Sequence, residues 1–197
     1  MGNVTQVFLE LGASVICVEP QSACLCHLYK RFKNNKKIII VKKAIGSHEG
    51  YSELLICKRQ PAISTLSNKW TVQGRFANDY KWTKTENVPV ITLDKLILEY
   101  GLPKFCKIDV EGYEESVLKG LSNAIPVISF EFTKEFFYDL KKCIDYLLTI
   151  GRMEFNCSIN GNYGLLFTTW VSPDALYDNL SAFKNGFLWG DIYARLY

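Results

Sequence analysis

Apolar positions along the chain fall into two periods, and the alternation between them lays out the elements. Val4, Val7, Phe8 and Leu11 have the i, i+3, i+4, i+7 spacing of a helix, predicted over 3–11 with Asn3 as N-cap and Gly12 just past its end. Ser14 to Val18 is a short β-branched run that reads as a buried strand and ends in Glu19-Pro20. A helix over 22–34 places Leu25, Leu28 and Phe32 on one face, and Ile38 to Val41 is again a continuous apolar strand. Strands are predicted over 51–57, 87–91, 105–110, 127–132, 153–159, 165–171 and 190–196. Helices are predicted over 93–100 with Thr92 as cap, through Val117 and Leu118 to Gly120, over 134–150 and over 173–183. The stretch 60–85, polar and aromatic, is long for a connection and reads as a functional or mobile insertion.

Strands alternating with helices of this length predict an α/β fold, a mostly parallel sheet covered by helices on both faces. In such sheets ligands bind beyond the carboxyl ends of the strands. Four acidic residues stand at or just beyond predicted strand ends: Glu19, Asp109, Glu111 and Glu131. An acidic residue in the position of Glu19 can accept hydrogen bonds from two ribose hydroxyls, or can simply cap a helix. Lys107-Ile108-Asp109-Val110-Glu111-Gly112-Tyr113-Glu114 places two carboxylates across a strand end, with Gly112 turning the chain into a helix. A carboxylate there can take a proton from a hydroxyl nucleophile or hold a cation. Glu114 and Glu115 are explained by the helix dipole; Asp109 precedes the helix and is not.

Composition narrows the field without deciding it. The 197 residues suit one domain over 1–197, and the 48% hydrophobic and 22% charged fractions exclude a disordered chain. A net charge of +3 calls for no nucleic-acid partner, and no apolar run is long enough for a bilayer span. Seven scattered cysteines read as reduced, structural thiols of a cytoplasmic protein, and Cys24-Leu25-Cys26-His27 lacks a second ligand pair for zinc. The pattern itself calls for no metal. His27 and His48 lie in an amphipathic helix and a turn, not in catalytic settings. A nicotinamide enzyme would need a glycine fingerprint ahead of Glu19 that is absent.

Val18-Glu19-Pro20, Lys43-Ala44-Ile45-Gly46, Thr92-Leu93-Asp94 and the Lys107–Glu114 block, with Val117-Leu118-Lys119-Gly120, together resemble the FkbM family of methyltransferases. The resemblance covers about 2–132, and more weakly Trp189-Gly190-Asp191-Ile192-Tyr193. It implies a Rossmann-like class I three-layer sandwich, S-adenosylmethionine as methyl donor, and O-methylation of a hydroxyl on a sugar, glycan or secondary metabolite. The small-molecule or glycan acceptor is then the partner, with homo-oligomerisation left open. The resemblance further implies Glu19 and Pro20 at the ribose, Ala44 and Ile45 beside the adenine, and Asp109 between the methionine end and the acceptor. Glu111 and Glu131 become candidates for orienting the acceptor or holding a cation. The family's first central strand and its glycine loop precede the helix at 3–11, and here only Gly2, as the loop's last glycine, and Thr5 stand in their places. The chain is therefore expected to lack that strand, to leave two strand edges unpaired, to bind the cofactor weakly and to aggregate. A catalytically inactive binding or assembly module of the same fold is the alternative. Trp70, Phe76, Tyr80 and Trp82 are candidates to line an acceptor pocket, with Ser64 and Thr65 as polar contacts.

Overall fold

A computed structural model describes residues 1–162, 164–183 and 187–197. It is a mixed α/β fold with several sheets. In chain order the elements are α1 (Asn3–Glu10), β1 (Val15–Val18), α2 (Ser22–Phe32), β2 (Ile38–Val41), β3 (Ala44–Ile45), β4 (Gly50–Ile56), α3 (Asn68–Gln73), β5 (Lys84–Ile91) and α4 (Leu93–Tyr100). There follow β6 (Cys106–Ile108), α5 (Glu114–Leu118), β7 (Val127–Thr133), α6 (Phe137–Ile150), β8 (Met153–Ile159), α7 (Pro173–Ala182) and β9 (Trp189–Leu196), with single 3-10 turns over Pro61–Ile63 and Lys134–Phe136.

Among the described residues the strands form three sheets rather than one, ordered β1-β2, β3-β5-β4 and β6-β7-β9-β8. The β1/β2, β3/β5 and β6/β7 pairs are parallel, whereas β4/β5, β7/β9 and β8/β9 are antiparallel. Within each sheet the strands run in one direction except β4 and β9. Strand β8, which follows the crossover helix α6, runs in the same direction as β7, and β9 inserts antiparallel between the two. The main core lies where the four-stranded sheet meets α6 and α7, around Ile128, Phe130, Ile144, Leu147, Phe155 and Ile192, all fully buried. Leu140, Cys143, Ile144 and Leu147 form the buried stripe of α6 that the helical spacing predicts. A smaller cluster of Ala44, Leu54, Ile56 and Val88 fills the β3-β5-β4 sheet.

The caps follow the chemistry of their residues, with one correction. Thr92 accepts from Lys95 N–H at 3.1 Å and Ser172 from Ala175 N–H at 3.3 Å, with Pro173 in the first turn. Helix α1 starts one residue earlier than its sequence suggests: Gly2 is the N-cap at φ 75°, where Asn3 was expected. The run 165–171 is not a strand. It meets β8 through an isolated bridge of Phe155 with Val171 and a bond from Leu166 N–H to Cys157 C=O at 2.7 Å, and between them the Asn156 side chain takes up the Phe167 N–H and C=O. An Asn amide that bonds the backbone directly competes with strand pairing. The insertion over 60–85 is ordered: it carries α3 and the start of β5, three residues earlier than the pattern predicts. Ser67 caps α3 by accepting from Trp70 N–H at 3.2 Å. All seven cysteines are free thiols, Cys24 buried and Cys26 exposed on the same helix. No described helix is long and apolar enough to cross a membrane.

Helix α4 is joined to α5 by a close backbone approach. A Cβ placed on Gly120 would lie 2.3 Å from the Gly46 carbonyl oxygen, and Asp94 N–H donates to Gly120 C=O at 3.0 Å. The G120A variant is expected to lose about 1–3 kcal/mol, since Gly120 is tied to Asp94 and Gly46 N–H to Ile91 C=O at 3.0 Å, so neither backbone yields freely. Urea unfolding at constant m-value checks it.

Candidate active site

Strand β6 ends at Ile108, and the next four residues turn the chain into α5 through two successive left-handed positions, Glu111 at φ 53° and Gly112 at φ 84°. A left-handed glutamate is strained, and the strain is held by neighbours from the insertion. The Thr65 hydroxyl, 1% exposed, donates to Glu111 C=O at 2.7 Å and approaches Val110 C=O at 3.3 Å. Trp70, equally buried, lies against Gly112 so closely that a Cβ there would sit 2.9 Å from its ring. Glycine is required at 112 on both counts.

The turn brings Asp109, Glu111 and Glu131 together: one carboxylate oxygen from each lies within 4.8 Å of the others. Glu131 projects from β7, where it stands opposite Asp191 of β9, so a fourth acid adjoins the group. Two cations hold these charges. Arg75 Nη2 donates to Glu131 Oε1 at 2.7 Å, with both side chains almost buried. Its guanidinium packs over Trp70, Phe76 and Trp189 at 5.7, 4.9 and 5.0 Å from the ring centres. Lys107 Nζ bonds Asp191 at 2.6 Å and reaches Asp109 at 3.7 Å. Neither Arg75, Lys107 nor Asp191 was singled out from the sequence, although Lys107 and Asp191 fall inside motifs that were. The signal for Arg75 is slight: one arginine among the aromatics of the insertion.

Burial sets the electrostatics. Loss of hydration, then repulsion from Glu131 and Asp109, pushes the Glu111 carboxyl up to about 9, against a smaller opposing pull from Arg75. Burial also raises Glu131, with Asp109 adding to the shift and Arg75 limiting it. Glu114 is no solvated dipole charge: buried, it accepts from the Val110 and Gly112 N–H groups at 3.4 and 3.3 Å, and burial raises it to about 7. Glu115 has the ordinary helix-start role, pairing with Lys119 at 2.7 Å and Lys142 at 3.3 Å. Below Glu131 lies a cavity of about 430 Å³ between α3, α5 and α6, reached by Trp70, Thr133 and Lys142. Of the aromatic candidates Trp70 lines it; the Trp82 indole instead donates to Ile63 C=O, and Ser64 accepts from Cys57 N–H.

The remaining candidates gather elsewhere. Glu19, just past β1, accepts from Gln21 N–H at 2.8 Å through Oε1, and Pro20 lies between them. Burial raises its carboxyl, which the Gln21 bond opposes and Glu86 reinforces. Thr5 on α1 reaches Cys17 of β1 at 3.8 Å, and Gly2 packs on Phe32. Ala44 is buried in the smaller core cluster, with Ile45 beside it in β3. The structure thus assembles the three predicted catalytic carboxylates in one place, Asp109 being also a predicted cofactor residue, and sets the other predicted cofactor residues on or beside the two other sheets and α1.

Residues 3–156 match the methyltransferase FkbM domain. The chain belongs to the FkbM methyltransferase family. The FkbM chain from Methylobacillus flagellatus KT has a similar solved structure, with a TM-score of 0.55 at 15% identity over 97% of this chain. That likeness is one of fold, and the present chain spans 40% of the length of that structure. No curated protein matches the sequence. The family match ends at 156, so α7 and β9, with Asp191, lie beyond it while completing the same four-stranded sheet.

Between its ordinary value of 4.5 and about 9, Glu111 keeps its proton when folded and releases it on unfolding. Stability therefore falls as pH rises through that window, by at most about 1.4 kcal/mol per unit. Glu111→Gln is expected to raise the melting temperature by an increment that grows from pH 5 to pH 9. Arg75→Met acts in the opposite direction, costing about 3 kcal/mol at pH 8 and less as the pH falls, since proton uptake by Glu131 then offsets the lost partner. Thermal unfolding across pH measures both.

Proposed function

We propose that this FkbM domain is an S-adenosylmethionine-dependent O-methyltransferase acting on a hydroxyl of a sugar, glycan or secondary metabolite. The observation that carries the reading is the meeting of Asp109, Glu111 and Glu131 just past the carboxyl end of β6, beside a cavity that Glu131 lines. The cofactor residues fit their role. Glu19 has one oxygen on Gln21, and no other described donor reaches its carboxylate, which leaves acceptor capacity for ribose hydroxyls. Ile45 and the backbone of β3 form an apolar edge for the adenine. When bound, S-adenosylmethionine supplies a methyl group activated on its sulfonium sulfur.

The chain's own residues do the rest. Asp109, with its side chain 55% exposed and steered by Lys107, is placed to take the acceptor's hydroxyl proton as the new O–C bond forms and the C–S bond breaks. Glu131, fixed by Arg75, orients the acceptor through its other oxygen. Glu111, protonated below pH about 9, donates a hydrogen bond to it. Holding hydroxyl and methyl in line contributes the larger part of the acceleration.

In this reading β2-β1 and β6-β7-β9-β8 are two parts of one Rossmann-like, three-layer sheet. Among the described residues β1 pairs only with β2, and β6 only with β7, so each keeps an edge for one more strand. Calorimetric titration with S-adenosylmethionine tests both halves of the proposal. Weak binding by residues 1–197 and tight binding by a form that supplies a strand to this slot is the expected result. In the binding form, Asp109→Asn lowers kcat about 100-fold at unchanged melting temperature, and Glu19→Ala weakens cofactor binding about 10- to 100-fold. Absence of binding by either form assigns the domain to binding or assembly instead.

A further inference from the structure

We propose that Asp109, Glu111 and Glu131 form a binding site for one hard divalent cation, of the Mg²⁺, Mn²⁺ or Ca²⁺ class, whose open positions face the acceptor. Three carboxylates alone would not make a site. The second observation is Glu111 itself: it is 9% exposed, its Oε2 is buried, and no donor among the described residues reaches that atom. It is aimed into the group, since one of its oxygens lies within 4.8 Å of an oxygen from each of the other two. A buried acceptor with no donor costs about 1–3 kcal/mol, more if charged, and is kept where something else satisfies it.

The dimensions suit a cation. Oxygens on opposite sides of an octahedral shell are about 4.2 Å apart around Mg²⁺ and about 4.6–5.2 Å apart around Ca²⁺. Neighbouring oxygens of such a shell stand about 3–3.7 Å apart, so carboxylates within 4.8 Å of one another close on an ion by side-chain movements of about 1 Å. The donor set is all oxygen, which selects hard cations over zinc or copper. Charge agrees as well. Once the ion displaces the proton that Glu111 holds without it, Asp109, Glu111, Glu131 and Asp191 outnumber Arg75 and Lys107 by two, the charge of one such ion.

The geometry also assigns the free positions. Arg75 occupies Oε1 of Glu131 and leaves its other oxygen for the ion. Glu111 closes the buried side, while Asp109 is more than half exposed, so the remaining vertices open outward. Two neighbouring oxygens of an acceptor, a vicinal diol or hydroxy-acid pair, fit adjacent open vertices. The ion would then hold the methylated oxygen as an alkoxide, releasing its proton to Asp109 or solvent. This last use rests on the methyltransferase reading; binding of the ion does not.

Mn²⁺ titrated into the 197-residue chain without cofactor, followed by loss of the free-ion electron paramagnetic resonance signal, is the test. Mg²⁺ and Ca²⁺ serve as competitors. One site is expected, weakened at least tenfold in Glu111→Gln and in Asp109→Asn and unchanged in Glu10→Gln on exposed α1. The Gln variant reproduces the shape of the protonated glutamate and Asp109 is exposed, so both variants fold. Absence of Mn²⁺ binding, or equal affinity in all four proteins, overturns the proposal. If methyl transfer then proceeds in chelator, the methyltransferase reading survives alone. If Mn²⁺ binds in the expected pattern while S-adenosylmethionine binds no form, the cation site stands and that reading falls.

Discussion

Three carboxylates within 4.8 Å of one another, two of them largely out of water, are the constraint around which the rest of this structure is arranged. Like charges that close, in a medium of reduced dielectric, repel by several kcal/mol unless protonated or countered. Both remedies are present. Glu111 carries its charge as a proton over the neutral pH range, and Arg75 neutralises Glu131 from inside a cage of Trp70, Phe76 and Trp189. The guanidinium suits this cage because its flat, weakly hydrated face stacks on rings while its edge donates to an oxygen. Lys107 gives the same service to Asp109 and Asp191 from the strand itself.

The cluster explains why the long connection between β4 and β5 is folded. It contributes three contacts that the β6–α5 turn needs: the Thr65 hydroxyl on the Val110 and Glu111 carbonyls, the Trp70 ring beneath Gly112, and Arg75 on Glu131. Backbone strain at Glu111, about 1–3 kcal/mol for a left-handed non-glycine residue, persists because these contacts over-determine the turn. The reward is orientation: the strained φ aims the carboxylate into the cluster. Strand register adds the last member, since the pairing of β7 with β9 sets Glu131 opposite Asp191.

Much of the fold was legible from periodicity. The helices at 93–100 and 137–150 and the strands at 38–41 and 153–159 occur where the spacing of Leu93 and Leu96, of Leu140, Ile144 and Leu147, and of the β-branched runs predicts them. Local chemistry misled in one place. Leu165, Leu166 and Phe167 look like a strand, but the Asn156 amide takes backbone groups that pairing would have used. Trp70, a candidate to line an acceptor pocket, is 1% exposed: it lines the cavity beside Glu131 and packs under Gly112. The antiparallel course of β4 and β9 was not legible, because whether a strand returns parallel or antiparallel depends on where its partner's edge is free.

The sequence by itself determined the element types, the strand-end placement of Asp109 and Glu111, and the membership of a methyltransferase family. These follow from short-range rules, period, capping and a contiguous motif, that a chain carries wherever it folds. Only the tertiary structure decided that Arg75, 56 residues from Glu131, is its counter-ion, that Lys107 and Asp191 meet across 84 residues, and that no donor among the described residues reaches the buried Oε2 of Glu111. Burial and long-range pairing depend on how sheets and insertion pack together, and no local pattern encodes the dielectric or the neighbours that a side chain will find there.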